Sequence, residues 1–249
     1  MKNSTIFAIV MAISTSFSLH AAPLTSIVGN WHLDEERGQR AFDSSFFAKQ
    51  GQLGSTPALD SNDPSWTLRR FDTAALHFDG IDDYVRVPAA KNLEPRQLSV
   101  EAWVQATDPG ILKYIVAKSA ISCHAAAYSL ETENNGLTFF VAKGDGVTFA
   151  ASPSVGSEIW DGKWHHVVGT FNEKVVRLFV DGIEVGTGTP APFSIDYSLF
   201  PHQEMYIGDY DGDQECPQFD YNFPGNIDEV RVWRKALSPA EVAIRFQGD

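Results

Sequence analysis

Positive charge is scarce in this 249-residue sequence, in which 19 Lys and Arg face 32 Asp and Glu for a formal net charge of −13. Nucleic acids and anionic membrane surfaces are held mainly through Lys and Arg, so the acidic balance argues against both as partners. Apolar runs long enough for a transmembrane helix are also missing after the N-terminal segment. The acidic excess is compatible with divalent cations and with a soluble exported protein.

The N-terminal segment predicts a signal peptide over residues 1–22. Lys2 precedes the apolar run IFAIVMAISTSF, and the small residues of SLHAA offer a cleavage point near Ala21 or Ala22. An uncleaved anchor is the alternative, whereas the lack of a nearby cysteine argues against lipidation. We therefore expect a secreted or periplasmic protein with no membrane insertion after signal cleavage.

Internal repeats, low-complexity tracts and linkers are absent from the rest of the chain. Residues 23–249 have the length of a single all-β domain. Cysteine is scarce as well, because Cys123 and Cys216 are the only two. In an exported protein such a pair favours a disulfide, which would close a loop of roughly ninety residues and stabilise the fold by about 4 kcal/mol.

The dominant pattern is an alternation with period two, which is typical of β-strands. In LSVEAWVQA, one face carries Leu98, Val100, Ala102 and Val104. Turn residues separate the apolar runs. Asp181-Gly182 and the run Asn134 to Gly136 predict β-hairpins. The irregular segment from Gly51 to Arg70 predicts a long surface loop.

One short helix is predicted at the C-terminus. Ser238 is a candidate N-cap, Pro239 occupies the first helical position, and Glu241 completes a capping box. The many short strands with regularly spaced turns predict an all-β sandwich or barrel for the remainder.

Four blocks of sequence resemble the LamG-like jellyroll domain family, within the concanavalin A-like lectin/glucanase superfamily. They are GNWHLDEERGQRAFDSS, LHFDGIDDYVRVP, WDGKWHHVVGTFNEKVVRLFVDGIEVGTG and FPGNIDEVRVWRKALSPAEV. The resemblance implies a two-sheet antiparallel jellyroll over residues 23–249, with the first and last strands adjacent and a short C-terminal helix. It also implies a structural Ca²⁺ near that junction.

The resemblance places the calcium ligands at Asp43 and Asp228. In this chain SSFFAKQG replaces the Gly/Asn-rich turn that usually follows the first aspartate. A second acidic group, at Asp79, Asp82 and Asp83, could also hold calcium, but the sequence favours a turn there, because Asp79-Gly80 is typical of a turn between two strands. Hard oxygen ligands favour calcium over zinc at either place.

The stretch IGDYDGDQECPQFDY predicts a ligand-contacting loop. Gln214 stands where an EF-hand requires glycine, which argues against an EF-hand. A solvated acidic turn and an irregular calcium site are the alternatives to a ligand contact. Aromatic faces stack on sugar rings and carboxylates bond hydroxyls, so the loop predicts a sugar-binding platform stiffened by the disulfide. Its candidate ligand-binding residues are Asp209, Tyr210, Asp211, Asp213 and Tyr221, with His124 beside the bridge.

Catalytic signatures are not found. Glu131 and Glu133 have the spacing of glucanase carboxylates, but a turn follows them, and we interpret them as a solvent-facing strand end. The sequence therefore favours a non-catalytic recognition module for a glycan or other cell-surface ligand. The alternatives are a polysaccharide-active enzyme, which needs carboxyls or a Tyr/His pair facing each other, and a protein–protein adhesion module.

Overall fold

The computed structural model describes residues 26–68, 73–121, 125–210 and 220–248, which form two antiparallel β-sheets and one C-terminal helix. The sheets pack face to face around one apolar core. The expected all-β jellyroll sandwich with a short C-terminal helix is confirmed. The predicted signal peptide, residues 1–22, lies outside the described residues.

The strands follow one another along the whole described chain. In order they are β1 (Ile27–Trp31), β2 (Arg40–Ala41), β3 (Gly51–Leu53), β4 (Ser65–Leu68), β5 (Ala74–Asp79), β6 (Val85–Val87), β7 (Leu98–Gln105), β8 (Tyr114–Ile121), β9 (Ala125–Glu133), β10 (Gly136–Ala142), β11 (Phe149–Ala151), β12 (His165–Phe171), β13 (Val175–Val180), β14 (Ile183–Glu184), β15 (Thr189–Pro190), β16 (Met205–Ile207) and β17 (Pro224–Trp233). The helix α1 is Pro239–Gly248.

The first sheet has nine strands in the order β14-β13-β12-β7-β17-β5-β4, with β1 beside β17 and β15 beside β13. The second has eight strands in the order β11-β10-β9-β8-β16-β6-β3-β2. The first strand pairs antiparallel with the last, from Ile27 opposite Trp233 to Trp31 opposite Val230. The expected adjacency of the first and last strands is therefore present.

The long strand β17 sets the two ends of the nine-stranded sheet. Its first half pairs with β5, beginning at Pro224 opposite Asp79, and its second half pairs with β1. A bulge between Asp228 and Arg231 separates these halves, where Glu229 has a φ of 52°. The two ends of β17 therefore lie at opposite ends of the sandwich.

Local turn chemistry forms the predicted hairpins. Asp181 and Gly182 have φ of 50° and 80° between β13 and β14, and Asn134 and Asn135 have φ of 50° and 63° between β9 and β10. Positive φ at both central residues gives the twist that two-residue hairpins require, and Asn, Asp and Gly tolerate it best. At α1, Ser238 Oγ accepts the Glu241 N–H at 3.4 Å, and the Glu241 carboxylate accepts the Ser238 N–H at 2.9 Å.

The segment from Gly51 to Arg70 differs from the predicted surface loop. Its beginning forms β3 and its later part forms β4, so between Gly51 and Leu68 only the middle is irregular. These strands have 3 and 4 residues. Such short segments show little alternation of apolar and polar residues. They become strands because β6 pairs with β3 and β5 pairs with β4.

Three apolar clusters divide the interior. The main one lies between the sheets and includes the predicted face of β7, Leu98, Val100, Ala102 and Val104. A second, with Trp233 and Val242, lies beneath α1. The third joins Tyr114, Tyr210 and Tyr221 on the eight-stranded sheet. No helix in the described part of the chain is long and apolar enough to cross a membrane.

Candidate ligand-binding site

The predicted ligand-contacting loop is only partly described. Asp209 and Tyr210 follow β16, and Tyr221 precedes β17. Five of the predicted residues, Asp211, Asp213, His124 and the cysteines Cys123 and Cys216, lie outside the described residues. The disulfide therefore stays a prediction.

The two tyrosines do not form the exposed platform that the sequence predicted. Tyr210 and Tyr221 are 1% and 2% exposed, and Asp209 is fully buried. Both rings pack on Tyr114, with centroids 4.8 and 5.5 Å away. Tyr210 also donates a 2.7 Å hydrogen bond to the carbonyl of Ala125. A sugar ring could not stack on faces that already contact each other, so the platform interpretation is wrong, while ligand binding by these residues stays untested.

Buried polar atoms adjoin this tyrosine cluster. The Tyr114 hydroxyl and Asn222 Nδ2 are buried and make no hydrogen bond within the described residues. Burial raises the pKa of the Tyr114 hydroxyl, and the charges of Glu131 and Asp209 raise it further. Among the described residues, the third cluster thus combines packed tyrosine rings with buried polar atoms.

Glu131 also differs from its predicted place at a solvent-facing strand end. Its side chain is 7% exposed and accepts a 2.5 Å hydrogen bond from Ser129 Oγ. Burial raises the pKa of Glu131 to about 8. Glu131 points to the same sheet face as Tyr114. The alternation of β9 is compatible with this orientation, but the spacing of the two glutamates did not predict that Glu131 is buried.

Asp43, a predicted calcium ligand, organises the turn that follows it. Its carboxylate accepts hydrogen bonds from the backbone N–H groups of Asn30, Ser45 and Lys49 at 2.9, 2.8 and 2.7 Å, and from Ser45 Oγ at 2.9 Å. A carboxylate offers about four acceptor positions. The four donors thus occupy all the acceptor positions of the Asp43 carboxylate. In this arrangement Asp43 fits the role of a calcium ligand poorly.

Asp228, the second predicted ligand, is fully buried at the bulge of β17. Its carboxylate accepts the N–H of Glu229 at 2.9 Å. A nearby group that the sequence analysis missed joins His32, Asp34 and Glu229, whose ligand atoms lie within 4.8 Å of one another. Arg231 also pairs with Glu229, which reduces its capacity as a metal ligand.

Asp79, the third predicted metal ligand, does lie in a carboxylate group. Its ligand oxygen and those of Asp82 and Asp83 fall within 4.8 Å of one another. Burial, together with the charges of Asp79 and Asp82, raises the pKa of Asp83 to about 6. Carboxylates that repel one another at this range are the kind of oxygen set that calcium stabilises. This group fits a cation better than Asp43 does.

The open cleft of the described molecule lies at the other end of β17. It has a volume of about 1070 Å³ and is walled by β1, the turn after Asp43, residues 89–97 and the start of the β12–β13 turn. A smaller hollow of about 540 Å³ adjoins it, and Phe47 and Arg234 line both. We call the two together the β1 cleft.

Side chains around the β1 cleft are of the kinds that hold polar ligands. Phe46, at the rim, is 94% exposed and meets the Phe47 ring edge-on at 5.6 Å. Asn92 and Gln97 supply amides, and Ser44 and Ser45 supply hydroxyls. Sequence reasoning missed this cleft. Its one local signal was the departure SSFFAKQG, which puts two phenylalanines in a turn where the family usually has Gly and Asn.

The backbone around the β1 cleft is held from several directions. Lys49 is fixed through its N–H on Asp43, and its carbonyl accepts the indole N–H of Trp31 at 3.0 Å. Asn92 Nδ2 donates to the carbonyl of Val28 at 2.6 Å, and the Arg234 N–H donates to the carbonyl of Ser26 at 2.8 Å. The cleft is therefore walled by hydrogen-bonded turns whose side chains project from fixed positions.

The sequence profile of the Laminin_G_3 family, described as concanavalin A-like lectin/glucanases superfamily, matches residues 79–243. The chain belongs to this family. The match confirms the resemblance that the four sequence blocks predicted. A search of curated proteins by sequence finds no match.

Solved structures share the fold at low sequence identity. Domain 4 of AbnA, a GH43 extracellular arabinanase from Geobacillus stearothermophilus, in complex with arabinotriose, is 17% identical with a TM-score of 0.62 over 88% of this chain and 97% of its own. The binding domain of Paraclostridial Mosquitocidal Protein 1 is 11% identical with a TM-score of 0.65, over 90% of this chain. That of botulinum neurotoxin DC, in complex with rat synaptotagmin II, is 12% identical with a TM-score of 0.63, again over 90%.

The structural match covers only part of each of the two toxin domains. This chain spans 52% of each of them, so it corresponds to about half of their length. Together the three likenesses establish the jellyroll fold over most of the described chain.

Proposed function

We propose that this protein is an exported, non-catalytic recognition module that binds a glycan in the β1 cleft. The observation that carries the proposal is the cleft itself, an open hollow of about 1070 Å³ adjoined by a smaller one that is lined by the almost fully exposed Phe46. Concave sites that combine aromatic surface with a few placed polar groups are the usual form of small-ligand sites. The fold is also that of an arabinanase domain whose structure holds arabinotriose.

Phe46 is the central contact in this proposal. An exposed aromatic ring offers a flat apolar face to a sugar ring, while the amides and hydroxyls nearby bond the sugar hydroxyls. Phe46 is 94% exposed, so a ligand that covers the ring removes its apolar surface from water.

A glycan array with the protein lacking residues 1–22 tests the proposal, run once with calcium and once with chelator. For any glycan that binds, Phe46→Ala should weaken affinity about tenfold, equivalent to about 1.4 kcal/mol. Phe149→Ala is the matched control, because Phe149 is also exposed but lies on β11, at the opposite edge of the eight-stranded sheet from β2 and β3, which flank the Phe46 turn. A loss in Phe149→Ala with none in Phe46→Ala would move the site to that edge, and a blank array would reject the glycan function.

A protein ligand is the second candidate, because the fold is also that of a toxin domain solved with synaptotagmin II. It predicts binding to a cell-surface protein that enzymatic removal of glycans does not change. The enzyme alternative finds less support, since Glu131 is buried and bonded to Ser129 rather than facing another carboxyl across an open cleft.

Calcium enters the proposal as a structural ion. The carboxylate group of Asp79, Asp82 and Asp83 lies at the end of β5, which is the opposite end of β17 from the β1 cleft. Calcium there would brace the sandwich without contacting the glycan. Binding of the glycan should therefore survive chelation as long as the protein stays folded.

A further inference from the structure

The β1 cleft concentrates positive charge in a protein that has little of it. Four basic side chains and one acid, Glu173, line the larger hollow. The basic residues are Lys49, Lys91, Arg96 and Arg234. The chain as a whole carries 19 Lys and Arg against 32 Asp and Glu. A local excess of cations against that background calls for a physical reason.

Two of these cations are already neutralised by neighbouring acids. Arg96 pairs with Glu173 at 2.9 Å, and Lys91 pairs with Glu94 at 2.7 Å. Both pairs are at the surface, where such contacts contribute little to stability. They leave the charge of these two residues largely balanced before any ligand arrives.

The other two cations have no such balance. Lys49 and Arg234 form no ion pair with any residue in the described part of the chain. Their backbones are nevertheless fixed, through Asp43 and Trp31 for Lys49 and through Ser26 for Arg234. Because these backbones are already held, only the two side chains have to be ordered when an anion binds.

We infer that the glycan bound in the β1 cleft carries carboxylate or sulfate groups, which Lys49 and Arg234 bind. The inference rests on the proposed function and names the chemical class of its ligand. Arg234 offers a planar fork of N–H donors that matches an oxyanion in two places, and Lys49 offers a point charge. Arg234 lines both hollows, so an anion on it would join a sugar in the larger hollow to one beside Phe46.

The net charge of the protein does not oppose this assignment. Exposed charges farther away than about 8–10 Å are largely screened at physiological ionic strength, whereas contacts inside a cleft are screened much less. The acidic group of Asp79, Asp82 and Asp83 lies at the far end of β17, which has 10 residues, roughly 33 Å at 3.3 Å per residue. The cleft therefore presents its own local charge to a ligand.

Two matched pairs of oligosaccharides test the inference by isothermal titration calorimetry. Tetragalacturonate is compared with its carboxyl-reduced form, and sulfated maltotetraose with unsulfated maltotetraose. We expect the acidic member of at least one pair to bind about tenfold or more tightly than its neutral partner, because hydrogen bonds between charged groups are stronger than those between neutral ones. The pair that responds shows whether the group is carboxylate or sulfate.

The double variant Lys49→Gln/Arg234→Gln should lose that preference, with affinity for the acidic member falling about tenfold or more. Arg40→Gln/Lys163→Gln removes the same charge outside the β1 cleft and should bind as the parent does. Circular dichroism melting of both variants confirms that each is folded. Acidic saccharide that binds the Lys49/Arg234 variant unchanged would overturn the inference.

The outcomes separate the inference from the function on which it rests. If neutral saccharides alone bind and Phe46→Ala weakens them, the glycan function stands and the anionic class is wrong. If neither the array nor the four oligosaccharides give binding, both are rejected.

Discussion

The backbone N–H of Lys49 donates a 2.7 Å hydrogen bond to the carboxylate of Asp43. Through this contact and three others, Asp43 holds the turn that carries Phe46, Phe47 and Lys49. The residue that the family resemblance assigns to calcium thus shapes the wall of the β1 cleft here. The buried Asp43 side chain, which the resemblance predicts to be a calcium ligand, is therefore also part of the proposed ligand-binding site.

Asp43→Ala should destabilise the protein by about 2–4 kcal/mol, because backbone N–H groups that are partly buried lose their acceptor. Glycan affinity should fall as well, since the turn with Phe46 loses its anchor. Urea unfolding monitored by fluorescence measures the first effect and calorimetry the second. Asp43→Asn, which keeps one carbonyl acceptor, should lie between the parent and the alanine variant.

Chelator separates the two roles of Asp43. If the role of Asp43 is to accept hydrogen bonds, Asp43→Ala should lower the free energy of unfolding by the same amount in calcium and in chelator. A penalty that disappears in chelator would instead assign Asp43 to the metal.

Local chemistry accounts for the parts of the fold that the sequence predicted. Asp181-Gly182, Asn134-Asn135 and the Ser238–Glu241 capping box each act within a few residues, so their outcome does not depend on distant packing. The alternation of β7 likewise follows from the two-residue repeat of a strand.

The features that the sequence did not predict depend on which residues from distant parts of the chain pack against each side chain. Tyr210 and Tyr221 have the composition of a sugar platform, but Tyr114 comes from a strand far along the chain and closes over them. The β1 cleft draws Lys49, Arg96 and Arg234 from three separate segments, and a whole-chain charge of −13 carries no information about such clustering.

Glu101 anchors the C-terminal helix to the nine-stranded sheet. Its buried carboxylate accepts the indole N–H of Trp233 at 2.9 Å and lies 3.1 Å from Arg231 on β17 and from Arg245 on α1. Burial alone would raise the pKa of Glu101, but the hydrogen bond with His166 and the charges of the two arginines lower it to about 2.

Glu101→Gln should therefore destabilise the protein by about 3–5 kcal/mol, since it removes the buried carboxylate on which His166, Arg231 and Arg245 converge. A carboxyl with a lowered folded-state pKa stabilises the fold above its unfolded pKa, and that contribution is lost as pH falls from about 4.5 to about 2. Calorimetric melting across this range should show a steep loss in the parent and a shallow one in Glu101→Gln. Parallel curves would contradict the assignment.

Calcium should raise the melting temperature, because a ligand that binds only the folded state stabilises it. Asp82→Asn should abolish this shift. Burial raises the pKa of Asp82, and the charges of Asp79, Asp60 and Asp63 raise it further, so its neutralisation should also stabilise the calcium-free protein. Thermal melting in calcium and in chelator measures both effects.

Asp34→Asn is the matched control for the calcium experiment, because Asp34 belongs to the group with His32 and Glu229. A calcium shift lost in Asp34→Asn and kept in Asp82→Asn would place the ion at that group. Equal melting in calcium and chelator for the parent would remove the structural ion altogether.

Glu131 should make the protein less stable as pH rises toward 8. Its folded-state pKa is raised to about 8, so between about 4.5 and 8 the folded state keeps a proton that the unfolded state has released. Stability then falls with pH across that window, by about 5 kcal/mol in total. Glu131→Gln stays neutral and accepts the Ser129 hydroxyl, so its stability should be nearly flat over the same window.

Urea unfolding at pH 5, 6, 7 and 8 measures the difference, and Glu133→Gln, at the end of the same strand, should keep the slope of the parent. A parent whose stability is flat or rises over this range would show that Glu131 is ionised in the folded protein.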